Sequence, residues 1–381
     1  MSILAIRLKR TWYAAAALWL LVYLPSCFLY KLSPAGWWPM GILGIGYMLS
    51  WAAGLGVGLA ALYVGKRWLV LTAILLAAGW PAVRNSVAIR KHSPFEQRKK
   101  PGTQRVVQWN GKGPGGIDPG NQYLVGQRGE AVAFLAKLDA DIICLPDFNE
   151  TIHPAIRSNI ALFRDSLGYK HWLFDRYYYQ HDWGADINTG LAIFSKWPVV
   201  RHGSVKYSGR KYPESILWAD VQTPGGQLRV VATHLQSTHL GRDAADTLPI
   251  PYYMDADTAI IRTGTTLQKL RHYQRYHAEQ AKLLRAFLDT CPSASVLAAD
   301  LNSVPASWVY HRIRGGWNDV FLQLGSGVGA TYPSSVPWLR IDYLLTNKGV
   351  QAIQFGQYRL PISDHDLLVA DVQVGFPAPV E

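Results

Sequence analysis

SVLAADLNSVP, residues 295–305, decides the fold. Val296 to Ala299 form an unbroken apolar run, which reads as a strand buried on both faces. The run ends in Asp300 and Asn302, two residues apart, so on an extended strand end both side chains leave the same face. Five other stretches repeat this plan. QRVVQWN (104–110) closes on Asn110, and DIICLPD (141–147) closes on Asp147. VVATHLQS (230–237) carries His234, RIDYLL (340–345) carries Asp342, and ISDHDLLVADV (362–372) carries Asp364 and His365. Strands that cross a core and end in Asp, Asn or His bring those groups to one rim. Carboxylates, amides and imidazoles gathered there suit a hard divalent cation and a phosphate ester.

Each residue alone has a plainer reading. Asn110 is a strand-end turn residue, Asp147 a helix cap before FNET, His234 a satisfied core histidine, and Asp342 a salt-bridge partner. The joint pattern favours an active site. Further strand-like runs lie near 170–179, 190–195, 215–222, 227–235 and 366–374. Helical spacing occupies 126–138, 154–167 and 265–289. TPGG at 223–226 predicts a turn between antiparallel strands. GPGG at 113–116 lacks the Gly-Lys-Ser/Thr ending of a phosphate loop and reads as a turn. These features predict an α/β fold, a two-sheet sandwich over residues 104–381.

The N-terminal part differs. Residues 11–30 and 32–65 are two long uncharged runs separated by Lys31, and 68–83 is a third, shorter run, extendable through 87–89. They predict an anchor of three transmembrane helices within 1–90, near 11–30, 40–64 and 68–83. Gly54 and Gly58 suit close helix packing. A basic linker, 91–103, follows. The chain's net charge of +12 belongs almost wholly to this part. Residues 1–100 hold 12 Lys/Arg against Glu96, whereas 101–381 hold 26 Lys/Arg and 25 Asp/Glu. A near-neutral large domain lowers the case for nonspecific nucleic-acid binding. Arg7, Lys9, Arg10, Lys66 and Arg67 mark one membrane face as cytoplasmic, while Lys31 and the basic tail Arg84, Arg90, Lys91, Arg98, Lys99 and Lys100 stand on the other. Weighting the early short loops predicts a multi-pass cell-membrane protein with its large domain outward. Cys27, Cys144 and Cys291 form neither a disulfide framework nor a thiolate metal motif.

The order QWN, DIICLPD, NTGLAIFSKWP, THLQS, AADLNSVP, RIDYLL, SDHDLLVADV resembles the endonuclease/exonuclease/phosphatase superfamily of DNase I-like enzymes. The resemblance implies a DNase I-like sandwich and Mg²⁺-dependent hydrolysis of phosphate esters, with Mn²⁺ or Ca²⁺ as alternative ions. It places Asn110, Asp147 and Asp364 at the metal. His234 faces the phosphate oxygens, Asp300 activates water, and Asn302 holds a nonbridging oxygen. Asp342 supports the His234 side, and His365 serves acid–base catalysis with Asp364 orienting it or touching the metal. Asp147 stands where the family usually has Glu, and Glu150 is the alternative acid. The expected activity is a membrane-anchored phosphodiesterase acting on a lipid headgroup or related ester. The alternatives are a nuclease of the same chemistry and a noncatalytic membrane-tethered binding module. The aromatic run 176–183 and the long connection 237–264, with LPIPYYM, suit base stacking, a sheet edge or a bilayer interface.

Overall fold

The apolar runs become strands because their residues are buried on both sides. The structure, a computed structural model, describes residues 3–90, 93–111, 122–151, 157–182, 185–207, 213–237, 266–333 and 336–375. The strands are β1 (Ala88–Ile89), β2 (Gln104–Gln108), β3 (Ile142–Thr151), β4 (His171–Asp182), β5 (Ala185–Ser195), β6 (Val199–Lys206) and β7 (Ser215–Thr223). They continue as β8 (Gly226–His234), β9 (Ser295–Asp300), β10 (Asn318–Asp319), β11 (Ser326–Gly327), β12 (Asp342–Thr346), β13 (Val350–Tyr358) and β14 (Leu367–Val374). One six-stranded sheet has the order β13-β14-β2-β3-β5-β4, and the other β10-β12-β9-β8-β7-β6. Among the described residues, only the pairs β2–β3 and β8–β9 are parallel, one at the centre of each sheet.

The two sheets face each other. Val106, Ile142, Cys144 and Ile193 of the first pack against Leu217, Val230, Ala232, Val296 and Ala298 of the second. Their neighbours in the pleat point outward and are covered by helices. Val107, Ile143 and Phe194 meet Leu135 and Leu138 of a helix over Gln122–Leu138. Val231, Leu297 and Ala299 meet Ala281, Leu284 and Leu288 of a helix over Thr266–Asp289. The layers are therefore α/β/β/α, as the predicted sandwich requires. Burying each such leucine stabilises the fold by roughly 1.5–3 kcal/mol. Residues 113–116 and most of 237–264 lie outside the described residues, as does the end of the aromatic run at 183.

The N-terminal helices are α1 (Ile3–Ser26), α2 (Pro39–Val64), α3 (Lys66–Ala78) and α4 (Trp80–Ser86). Among the described residues, α2 alone is long and apolar enough to cross a bilayer, and α3 with α4 qualify only when joined through a 52° bend. The predicted three-span bundle is therefore not supported by length and composition. The uncharged part of α1 begins after Arg10 and ends at Ser26, with Pro25 in its last turn, instead of continuing to residue 30. The third run breaks at Gly79, where Pro81 opens the next helix. Tyr47 donates its hydroxyl proton to the Gly79 carbonyl there, and a side chain at 79 would collide with the Tyr23 and Tyr47 hydroxyls. Gly54 lets α2 meet Trp19 and Leu76, and Gly58 lets it meet Thr72. Large apolar side chains remain exposed along all three longer helices, among them Leu21, Leu59, Leu62 and Ile74.

These helices rest on the sandwich. Gly41 and Gly44 in the first turns of α2 leave room for Gln274 and Val304. Trp338 Nε1 donates to the Ile45 carbonyl at 2.9 Å. At the other strand of the contact, Asn85 of α4 meets Arg314, Arg340 and His311, and β1 pairs with β11.

Candidate active site

Topology places six of the expected residues on one edge. Parallel β8 and β9 end there, so His234 and Asp300 are register partners. Antiparallel β12 starts there, so Asp342 is the register partner of Asp300 on the other side. In the facing sheet, β2 and β3 run toward the same edge and β14 starts from it, which brings Asn110, Asp147 and His365 across from that row.

Asp300 is the hub. Its Oδ2 accepts from Asn110 Nδ2 at 2.9 Å and lies 3.6 Å from His234 Nε2 and 3.7 Å from His365 Nδ1. Its Oδ1 accepts from the Asn302 backbone N–H at 2.9 Å. This last bond shows that spacing alone does not align Asn302 with Asp300. The strand ends at Asp300, Asn302 turns into the left-handed region at φ 44°, and its side chain swings to His234 Nε2 (3.1 Å) and the Leu235 carbonyl (2.9 Å). Asparagine tolerates that conformation better than most residues.

Asp147 also reaches the centre through an irregularity. Register between β3 and β5 shifts from Leu145 to Phe148, and Asp147 sits in the bulge at φ 53°. A bulge re-aims a side chain. Here it delivers Asp147 Oδ2 to Asn110 Nδ2 (3.2 Å) and Oδ1 to within 3.4 Å of His234 Nδ1. Glu150 is engaged elsewhere. Its two oxygens accept from Thr151 N, Ser158 Oγ and Ile160 N at 2.6–3.0 Å.

Two expectations are corrected. Asp342 supports His365, not His234: His365 Nδ1 and Asp342 Oδ2 are 2.9 Å apart, and Gln108 Nε2 donates to Asp342 Oδ1 at 2.9 Å. Asp342 and not Asp364 therefore orients the imidazole. The half-buried Asp364 stands next in chain and adds to the field that favours the charged imidazole. Its oxygens are absent from the tightest group of ligand atoms, Asp300, Asp342 and His365, which lie within 4.8 Å of one another.

The buried charges tune one another. Burial raises Asp300, as does the Asp342 carboxylate, and the two imidazoles only partly offset this, leaving it at about 6. Burial pulls His365 down, but Asp342 and Asp300 outweigh it and lift it to about 9. His234 is likewise raised against burial by Asp147 and Asp300. Burial favours a neutral Asp147, but the His234 imidazole and the hydrogen bonds from Tyr177 and Asn110 hold it below the usual carboxylate range.

Among the described residues, Asp300, Asp342 and His365 lie close together, but His365 Nδ1 is already committed to Asp342. The Asn110 amide nitrogen instead stands between two carboxylate oxygens, where positive charge is favoured. Turning the amide over exchanges Nδ2 for Oδ1 and leaves oxygen donors from Asn110 and Asp147 beside Asp300, suited to Mg²⁺, Mn²⁺ or Ca²⁺. Among the described residues, no lysine or arginine hydrogen-bonds to Asp147, Asp300 or Asp342.

Sequence reasoning missed Tyr177 and Tyr332. Register between β4 and β5 shifts around Tyr177, the bulged residue, and its hydroxyl donates to Asp147 Oδ1. Its ring stacks on His234 at 6.4 Å. The aromatic run flagged the region, but a bulge leaves no mark that separates Tyr177 from its neighbours. The Tyr332 ring lies 4.7 Å from the His365 ring.

A model of the endonuclease/exonuclease/phosphatase family matches residues 107–365, and a domain family of unknown function matches 9–86. No curated protein matches the chain. Among solved structures, an endonuclease/exonuclease/phosphatase from Beutenbergia cavernae DSM 12333 is 23% identical, covers 74% of each chain and superposes with a TM-score of 0.50. The human Nocturnin catalytic domain with bound sulfate anion is 17% identical over 71% of this chain and 93% of its own, at 0.48. A humanized D. rerio TDP2 is 16% identical over 72% and 100%, at 0.45. The likeness to the Beutenbergia cavernae structure speaks to the fold alone. The family match, from Val107 to His365, takes in every residue of the rim and more than half of the chain, and the chain belongs to the endonuclease/exonuclease/phosphatase family of hydrolases acting on phosphate esters.

Proposed function

We propose that this chain is a membrane-anchored, divalent-metal-dependent phosphoesterase that hydrolyses a phosphodiester, a lipid headgroup or a related ester. The observation that carries the reading is the buried convergence of Asp147, Asp300, His234 and His365, all within hydrogen-bond or ion-pair reach of Asp300 or of each other. Asn110 and Asp147 are the residues that would hold the cation, and Asp300 stands beside them to face the attacking water. When bound, a divalent ion neutralises charge on phosphoryl oxygens and lowers the pKa of a coordinated water.

The residues divide the remaining work. Asp300, poised at about 6, takes a proton from the attacking water. Asn302 and protonated His234 donate to the nonbridging oxygens. Water oxygen bonds to phosphorus, the ester P–O bond breaks, and the leaving oxygen takes its proton from His365. With Nδ1 committed to Asp342, the proton that His365 exchanges is the one on Nε2.

The membrane reading is supported by the exposed leucines of the helices and by charge placement. The sandwich meets the first turns of α2, so the α2–α3 junction with Lys66 and Arg67 lies at the far end, about 30 Å away at 1.5 Å per residue. Arg7, Lys9 and Arg10 at the start of α1 lie at that end too. Basic residues gathered there favour an outward-facing catalytic domain.

The test uses full-length protein in detergent micelles. Sphingomyelin, a phosphoinositide, plasmid DNA and bis-p-nitrophenyl phosphate are each supplied with Mg²⁺ or with EDTA. Chelator-sensitive release from the lipids supports the reading. Plasmid nicking without lipid turnover replaces it with a nuclease. No turnover of any ester, with metal bound, leaves a binding module.

A further inference from the structure

The segment from Thr331 to Asp342 touches the helices on one side and the rim on the other. On the helix side, Trp338 Nε1 donates to the Ile45 carbonyl of α2 at 2.9 Å, and Arg340 Nη2 donates to the Asn85 carbonyl of α4 at 2.7 Å. On the rim side, Tyr332 packs on the His365 ring, Asp342 holds His365 Nδ1, and Asp366 N donates to the Thr331 carbonyl at 2.8 Å. The segment is closed on itself. Thr331 and Tyr332 donate from their backbones to the Leu339 carbonyl, and Thr331 Oγ1 accepts from the Ile341 and Asp342 N–H groups at 3.0 and 3.1 Å.

Arg340 is the joint. It is 1% exposed, and its guanidinium bridges Asp319 Oδ2 (2.7 Å) and the Asn85 carbonyl. Its own carbonyl lies 2.9 Å from the Tyr343 hydroxyl, which lies 2.8 Å from the Ser303 carbonyl, one residue beyond Asn302. The Asn85 side chain is fixed in turn. Oδ1 accepts from Arg314 Nη1 at 2.7 Å, and Nδ2 lies 2.9 Å from His311 Nε2. Burial and the Arg314 charge hold His311 down to about 4, so its Nε2 is an acceptor at neutral pH. A buried arginine that spends one arm on a helix carbonyl links two rigid bodies, which a flexible tether does not require.

We propose that the N-terminal helices are part of the catalytic apparatus: through Trp338 and Arg340, as positioning residues, they set the segment that aligns Asp342 and Tyr332 on His365. The proposal rests on the function assigned to this rim and adds a role for the helices in positioning it. It also means that the cleft is organised from the end of the helices nearest the domain, where a membrane-borne ester would present its phosphate.

The experiment compares full-length wild type, Arg340→Lys and Trp338→Phe in micelles by hydrogen exchange and by kinetics on bis-p-nitrophenyl phosphate. Lysine keeps the charge beside Asp319 but cannot bridge to Asn85. Phenylalanine keeps an aromatic ring and removes the pyrrole ring with its donor to Ile45, so it serves if the first variant fails to fold. The expected result is at least tenfold faster exchange in 331–342 and 363–366, with 266–289 unchanged. It is joined by a kcat about tenfold lower with KM within twofold. Wild-type exchange at 363–366, or an unchanged kcat in an active enzyme, overturns the proposal. A wild type that turns over no ester refutes the assigned function instead, and the exchange data still decide whether the helices set the segment.

Discussion

His365 Nδ1 and Asp342 Oδ2 lie 2.9 Å apart, and this bond joins the two sheets at the rim. It fixes the ring's orientation and, with Asp300, favours its charged form. Asp342→Asn preserves shape but offers an amide donor to a nitrogen that needs an acceptor. The expected cost is about 10²–10⁴ in kcat, the usual worth of a general acid–base residue, with the circular dichroism spectrum unchanged. His365→Ala loses at least as much.

Tyr177 donates to Asp147 and stacks on His234. Tyr177→Phe keeps the stack and removes the donor. A residue that orients a metal ligand typically governs 10–100-fold of affinity, so calorimetric titration with Mg²⁺ should show a Kd about tenfold weaker. An unchanged Kd would remove Tyr177 from the metal's support.

The rim titrates at two places. Asp300 must be ionised to accept a proton, so activity falls as pH drops below about 6. His365 must be protonated to give one, so activity falls as pH rises past about 9. The expected kcat/KM profile is a bell between these limits, and a bound cation shifts both limbs toward acid by favouring the deprotonated forms. A single limb would contradict the division of labour.

His277 offers a stability test away from the rim's chemistry. It is buried, its Nε2 faces the Gln236 carbonyl, and burial lowers it to about 4. The unfolded chain binds a proton there at about 6.5. Between 6.5 and 4 the unfolded state therefore holds more protons, so stability is full above 6.5 and is lost as pH falls through that window. The loss is on the order of 3 kcal/mol by pH 4. His277→Gln should flatten the denaturation midpoint over this range, and an unaltered slope would contradict the assignment.

Much of this was legible in the chain. Val106, Ile143, Val231 and Leu297 declared strands because burial on both faces needs continuous apolar runs, and the polar residue after each run marked the edge. What escaped was local and backbone-encoded. The bulges that deliver Asp147 and Tyr177 leave no pattern in residue type. Asn302 reaches His234 through a left-handed turn and not through strand periodicity. The partner of His365 was misassigned because Asp364 is adjacent in sequence whereas Asp342 is adjacent across the sheets. The three-span count lacks support because apolar runs alone do not show the breaks at Pro25 and Gly79.

The most direct test is anomalous diffraction from crystals of the full-length protein soaked in Mn²⁺. The account predicts a peak between Asn110, Asp147 and Asp300, lost in Asp147→Asn. A map that is empty there at saturating Mn²⁺, or whose density lies at Glu150 instead, would contradict it.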